Sequence, residues 1–244
     1  MGHVSWRAAT IAGVRPETPT ARTVALQVPG WPGHEAGQHL DLRLTAEDGY
    51  TATRSYSIAS VPDGEAVEVT VERLKDGEVS TYLTDGASAG DQVEVRGPVG
   101  GWFVWRPRQT EPVLLVGGGS GVVPLMSVVR RHRETGSQAP LRLLYSVRDP
   151  DAILYRDELA ALDKDGVDIG YVFTRQAPEG WPRPPGRLDA PLLIATAFSP
   201  DLAPTSYACG PTRFVEDVAD LLVIAGHDPR RLRTERFGPS GGNP

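Results

Sequence analysis

The chain has 244 residues, 40% hydrophobic and 23% charged, an ordinary globular composition and a length suited to one large or two small domains; collagen-like, coiled-coil and wholly disordered classes are excluded. With 25 Lys and Arg against 31 Asp and Glu the formal net charge is -6, and no basic block interrupts the deficit, so nucleic-acid binding is disfavoured. A single cysteine, Cys209, cannot form an internal disulfide, a structural zinc site or an iron–sulfur cluster on its own.

In chain order, the amino terminus MGHVSWRAATIAGVRPE lacks the continuous apolar core of an export signal, and the most apolar stretch, residues 112–129, is broken by three consecutive glycines and Pro124. No membrane span and a reducing, cytoplasmic setting are expected. Up to about residue 108, the runs TVALQV (23–28), HLDLRL (39–44), AVEVTVERL (66–74) and QVEVRG (92–97) alternate apolar with polar residues between Gly, Pro and Asp. They predict an antiparallel β-barrel with one short helix around 79–85.

From residue 112 the pattern changes. PVLLVGG (112–118) is a continuous apolar strand, followed by a helix over 122–134, the strand LRLLYSV (141–147), the helix LYRDELAAL (154–162) and the strand VDIGYVF (167–173). A helix over 190–196, the strand TSYACG (205–210) and the helix RFVEDVADLLVIAG (213–226) complete the series. This alternation predicts a parallel sheet covered on both faces. The fold class is therefore a two-domain α+β protein, with an antiparallel β-barrel followed by an α/β parallel-sheet domain. The polar RPRQTE segment (106–111) marks the boundary, giving domains at 1–108 and 109–238 and a Gly/Pro-rich flexible tail at 239–244.

The loop GGGSGVV (117–123) lies between a strand and a helix, where glycines let backbone N–H groups approach a pyrophosphate. Pro124 stands where an ordinary dinucleotide fingerprint has its third glycine, and Ser146, Val147 and Arg148 occupy the second strand's end where an acidic residue belongs. An ordinary Rossmann dehydrogenase fits poorly, and a glycine-rich turn without a ligand stays open. His34 and His39 form no recognisable metal site, and no metal is expected.

Three motifs in order, RSYSIAS (54–60), GxGxxP (119–124) and CGP (209–211), resemble the ferredoxin–NADP reductase superfamily. The resemblance runs from Trp6 to Gly238 and implies FAD on the barrel and NAD(P)H on the parallel sheet. It implies that Arg54, Ser55, Tyr56 and Ser57 hold the flavin, with Arg54 on its pyrophosphate, Tyr56 against one face and Ser57 near N5. Val71 and Glu72 of the VER segment, and Gly77, Val79 and Ser80 of GEVS, correspond to its two remaining flavin segments. On the nucleotide side it implies Gly118, Gly119, Ser120, Gly121 and Pro124, with Cys209, Gly210 and Pro211 beside the nicotinamide. Thr174 and Arg175 end the third parallel strand, where relatives that prefer NADPH hold its 2'-phosphate. NADPH is slightly preferred on that ground.

Glu235 and Phe237 resemble the family's Glu-x-aromatic ending, with the acid near the active centre and the ring over the flavin. Phe stands in place of the plant-type Tyr, and seven residues follow it. For Tyr56 and Cys209 simple core packing stays open, and for Glu235 an edge-strand surface charge. The implied catalytic set is Ser57, Cys209 and Glu235, passing hydride from the nicotinamide to FAD and electrons on to a separate ferredoxin, haem or molybdenum protein. A monomer is expected. A reductase of free flavin or quinones and a flavin-binding interaction subunit without turnover are the alternatives.

Overall fold

The computed structural model describes residues 5–237, and the flexible tail expected at 239–244 lies outside them. Contacts divide the chain into two compact units, one running to Arg106 and taking in Met126–Glu134, the other comprising Pro107–Leu125 and continuing from Thr135.

The first unit holds six strands, β1 (Trp6–Thr18), β2 (Ala21–Gln27), β3 (His39–Thr45), β4 (Thr51–Ser57), β5 (Ala66–Glu72) and β6 (Gln92–Val99). They pair antiparallel throughout in the order β4-β3-β6-β1-β2-β5. An isolated bridge between Ile58 and Val69 links the chain just past β4 to β5, which draws the two outer strands together as barrel closure requires. Alternation decides the faces: Leu40 and Leu42 of β3 enter an apolar cluster with Val24, Leu26, Val69 and Val95, so Asp41 and Arg43 project from the opposite face.

Two elements depart from the pattern of the sequence. β1 is not an alternating run, since Pro16 and neighbouring Ala and Gly residues interrupt it, and its pairing with β2 shifts register at Ile11/Gly13 and Pro16/Thr18. The short helix expected at 79–85 is two pieces, α1 (Glu78–Thr81) and a wider π turn over Tyr82–Gly86.

The second unit follows the strand and helix alternation with β7 (Val113–Gly118), β8 (Leu141–Val147), β9 (Asp168–Phe173), β10 (Thr205–Pro211) and β11 (Leu232–Phe237). All pairs are parallel, in the order β11-β10-β7-β8-β9. β7 is central and buried at every residue, as a strand covered on both faces must be. Along this stretch of chain the helices are α2 (Val122–Glu134), whose residues from Met126 group with the first unit, and then α3 (Arg156–Lys164), α4 (Ala190–Thr196) and α5 (Thr212–Ile224). α3 starts two residues later than the sequence pattern because Tyr155 adopts a left-handed φ of 56°. Val215, Val218 and Leu222 of α5 pack with Leu114, Val116, Leu144, Val172 and Leu193. No helix among the described residues is long and apolar enough to cross a membrane.

Gly37 precedes β3 with φ +96°, and a Cβ there would overlap the Phe103 carbonyl oxygen. Gly37→Ala is expected to destabilise the first unit by roughly 1–3 kcal/mol, read as a lower midpoint in urea denaturation. An unchanged midpoint would mean that the Phe103 segment yields at no cost.

Candidate functional site

The first cluster lies on β4. Arg54 is exposed, and its Nη1 donates to the Thr53 carbonyl at 2.7 Å. The Ser55 hydroxyl is turned to Asp41, donating to Oδ1 at 2.6 Å. Tyr56 is half-buried against the barrel core, and burial pushes its phenol well above the ordinary range. Ser57 is buried, and its Oγ has no hydrogen-bond partner among the described residues. Leaving a buried hydroxyl unpaired costs about 1–3 kcal/mol, so a group from outside the chain fits this position.

The two other segments that the resemblance gives to the flavin lie at the end of β5 and at the start of α1. Val71 is fully buried and Glu72 half-buried at the end of β5. Ser80 Oγ donates to the Gly77 carbonyl at 3.1 Å and accepts from the Leu74 N–H at 3.1 Å. With Val79 buried, the GEVS turn is held from inside.

In the second unit, the turn after β7 and the end of β10 approach each other without room for side chains. A Cβ on Gly118 would lie 2.7 Å from the Phe214 ring, and one on Gly121 would overlap the Cys209 carbonyl oxygen. Gly119, Ser120 and Gly121 form a tight turn leading into α2. Pro124 sits in the first turn of α2, where no N–H is required, which explains why it can replace a third glycine. Gly210 and Pro211 close β10 and lead into α5, where the ring of Phe214 lies against both Gly118 and Gly210. Nothing in the spacing of the glycines points to Phe214, which stands three residues after the CGP motif.

Cys209 is fully buried, and its thiol is pushed far above the ordinary range, by burial first and then by the neighbouring Glu235. A neutral thiol is no nucleophile. Glu235 is the register partner of Cys209 across β10 and β11. Glu235 is half-buried with its Oε2 closed to solvent, although β11 is an outer strand of its sheet, and burial pushes its carboxyl up to about 7. Phe237 is half-buried and pairs in register with Pro211.

Thr174 and Arg175 extend the ladder past the end of β9, their N–H groups donating to the Val147 and Arg148 carbonyls at 2.8 and 2.9 Å. The Arg175 side chain is exposed and makes no hydrogen bond or ion pair among the described residues. Nearby, Trp181 packs edge-on against Phe173 at 5.0 Å, a contact that a lone Trp in a Pro-rich loop does not announce. No group of three or more His, Cys, Asp or Glu among the described residues is placed to hold a metal ion.

The raised Glu235 carboxyl has a consequence for stability. Between the ordinary value of 4.5 and about 7 the folded state keeps a proton that the unfolded chain has released, so this group lowers stability as pH rises through that window. Glu235→Gln carries no such proton. Its stability is expected to fall less than that of the wild type between about pH 5 and about pH 8, measured by chemical denaturation; parallel profiles would show that the carboxyl titrates normally.

Residues 22–104 match the family described as the oxidoreductase FAD-binding domain, and residues 115–220 the oxidoreductase NAD-binding domain. The glycine betaine monooxygenase reductase subunit of Pseudomonas aeruginosa (strain UCBPP-PA14) is 32% identical over 209 residues, covering 84% of this chain and 56% of that protein. The ferredoxin reductase component of 3-ketosteroid-9-alpha-monooxygenase from Rhodococcus rhodochrous is 30% identical over 242 residues, covering 96% and 66%. The chain thus spans less than two thirds of the length of these relatives. Among solved structures, an Amycolatopsis cytochrome P450 reductase aligns with a TM-score of 0.83 at 26% identity, over 99% of this chain and 73% of that one. Two consecutive domain matches on a barrel and a parallel sheet, with the glycine turn and CGP segment brought together, place the chain in the ferredoxin–NADP reductase superfamily of FAD- and NAD(P)-binding oxidoreductases.

Proposed function

We propose that this chain is a flavoprotein reductase that takes hydride from NAD(P)H and passes electrons through FAD to a separate redox protein such as a ferredoxin, a haem protein or a molybdenum enzyme. The observation that carries this is the buried, unpaired Ser57 hydroxyl beside the half-buried Tyr56, inside the segment that matches the FAD-binding domain. The relatives named above are themselves reductase components of oxygenase systems, which supports a partner-directed role; the cytoplasm is the proposed setting. The barrel at 1–108 serves the flavin and the unit at 109–238 the nucleotide.

FAD, when bound, supplies a carrier that accepts two electrons and releases them singly or in pairs. The chain's own residues do the rest. Arg54 neutralises phosphate charge, Tyr56 shields one face from water, and Ser57 offers its unpaired hydroxyl to the flavin. Val71, Glu72, Gly77, Val79 and Ser80 shape the remaining contact. Gly118, Gly119, Ser120 and Gly121 let backbone N–H groups reach the nucleotide phosphates, and Pro124, Gly210 and Pro211 shape the turn around them. Cys209, neutral and buried, fills space beside the nicotinamide without bringing a charge, and Glu235 holds or gives up a proton near neutral pH. Phe237 offers a ring at the end of β11.

Purified protein is expected to be yellow and to bleach on anaerobic addition of NAD(P)H, followed by visible absorbance. Protein that takes up no flavin on reconstitution would overturn the proposal, and flavin that resists bleaching would leave a binding subunit without turnover.

The unpaired Arg175 and adjacent Thr174 favour NADPH through its 2'-phosphate. Arg175→Ala should raise the Michaelis constant for NADPH and leave NADH nearly unchanged. A charge-assisted contact of about 1.5 to 3 kcal/mol corresponds to a selectivity change of roughly 10- to 150-fold. Steady-state rates with both nucleotides decide it, and equal losses would assign Arg175 to the shared part of the nucleotide.

A further inference from the structure

Ser55, Asp41, Arg96 and Trp6 occupy one row across four strands of the barrel. Asp41 is the register partner of both Ser55 and Arg96, and Arg96 is the partner of Trp6. The row is bonded from end to end. Ser55 Oγ donates to Asp41 Oδ1 at 2.6 Å, while Arg96 Nε and Nη2 donate to Oδ2 at 3.1 and 2.6 Å. The Arg96 guanidinium lies 5.0 Å from the centroid of the Trp6 ring. Arg43, from the neighbouring row, sits 4.2 Å from the same ring and is fixed by two bonds to Glu94 of 2.8 and 2.7 Å.

Asp41 is the joint of this row. Its side chain is only 12% exposed, and both of its oxygens are committed. Burial alone would raise its pKa; the hydrogen bonds from Ser55 and Arg96 and the charge of Arg96 outweigh burial, and the carboxyl stays ionised below the ordinary range. On the far side of Ser55 support is thin, because β4 is an outer strand in the sheet order and forms its ladder with β3 alone. Ser55 stands between Arg54 and Tyr56, and adjacent strand residues face opposite sides. Fixing the Ser55 side chain on the outer face therefore fixes the rotation that turns Tyr56 toward the core and sets where Arg54 leaves the strand.

We infer that Asp41 is a positioning residue for the flavin-binding strand, acting through Ser55 to set how Arg54 and Tyr56 are presented. This rests on the proposed reading of β4 as the strand that meets FAD. Ser55 then serves the cofactor through its backbone, because its hydroxyl is spent on Asp41.

The test is FAD affinity, read from quenching of flavin fluorescence as apoprotein is titrated into FAD, with the thermal melt of each apoprotein as the control for fold. Asp41→Ala and Ser55→Ala should each weaken FAD binding about tenfold, the scale of one charge-assisted hydrogen bond. The double variant should bind no more weakly than Asp41→Ala, since the same bond is removed twice. Asp41→Asn, which keeps an acceptor for Ser55, should stay within about threefold of the wild type. The melt of Ser55→Ala apoprotein should match the wild type. Wild-type FAD affinity in Asp41→Ala, losses that add in the double variant, or losses that track the apoprotein melt would each overturn the inference. If Asp41→Ala does not fold, Ser55→Ala and Asp41→Asn decide it alone. A wild-type apoprotein that quenches no flavin fluorescence overturns the flavoprotein reading and this inference together, whereas wild-type-like variants overturn the inference only.

Discussion

The close approach of the turn after β7 to the backbone of β10 is the constraint on which the second unit's site depends. At Gly121 a Cβ would overlap the Cys209 carbonyl oxygen, and at Gly118 and Gly210 it would strike the Phe214 ring. Interiors are packed densely enough that such overlaps cannot be absorbed locally. The glycines therefore let the turn at the start of α2 lie directly against Cys209 and Gly210. With Cys209 fixed, parallel pairing places Glu235 opposite it.

The two units handle charge in opposite ways. On the barrel, charges on the outer face are paired across strands, Arg96 with Asp41 and Arg43 with Glu94, with Trp6 beneath both guanidiniums. Such pairs contribute little individually to stability when exposed, but a carboxylate withdrawn from water and bonded on both oxygens has one low-energy geometry. Around Cys209 the arrangement is reversed. Burial there favours the neutral thiol and raises the Glu235 carboxyl.

Much of this was legible in the sequence because it rests on periodicity and on residues with special backbone freedom. β2, β3, β5 and β6 alternate cleanly, and β7 is a continuous apolar run, so their existence and class followed from side-chain period. The glycine turn and CGP could be read because few residues other than glycine tolerate such approach. β1 was obscured by its register shifts, which break the two-residue period, and the start of α3 by the left-handed Tyr155. Asp41 was illegible for a different reason. In HLDLRL it occupies an ordinary outward position, and its bond to Ser55 depends on the pairing register of β3 with β4, a nonlocal fact. Glu235 was ambiguous likewise, since an edge-strand acid is solvated or buried according to what packs over it.

The Cys209 and Glu235 pair also limits the chemistry open to the site. A thiolate beside an ionised carboxylate would concentrate two negative charges in a medium of low polarity, at a cost that grows steeply with burial. The structure avoids this by raising both groups together, so at neutral pH the thiol is neutral and the carboxyl, pushed up to about 7, is shared between its protonated and ionised forms. A nucleophilic role for Cys209 would need a neighbouring base or cation to lower its pKa, whereas burial and Glu235 both raise it. What remains for the pair under the proposed function is shape and a single exchangeable proton, the two contributions a protein can add when the electron chemistry belongs to a bound cofactor.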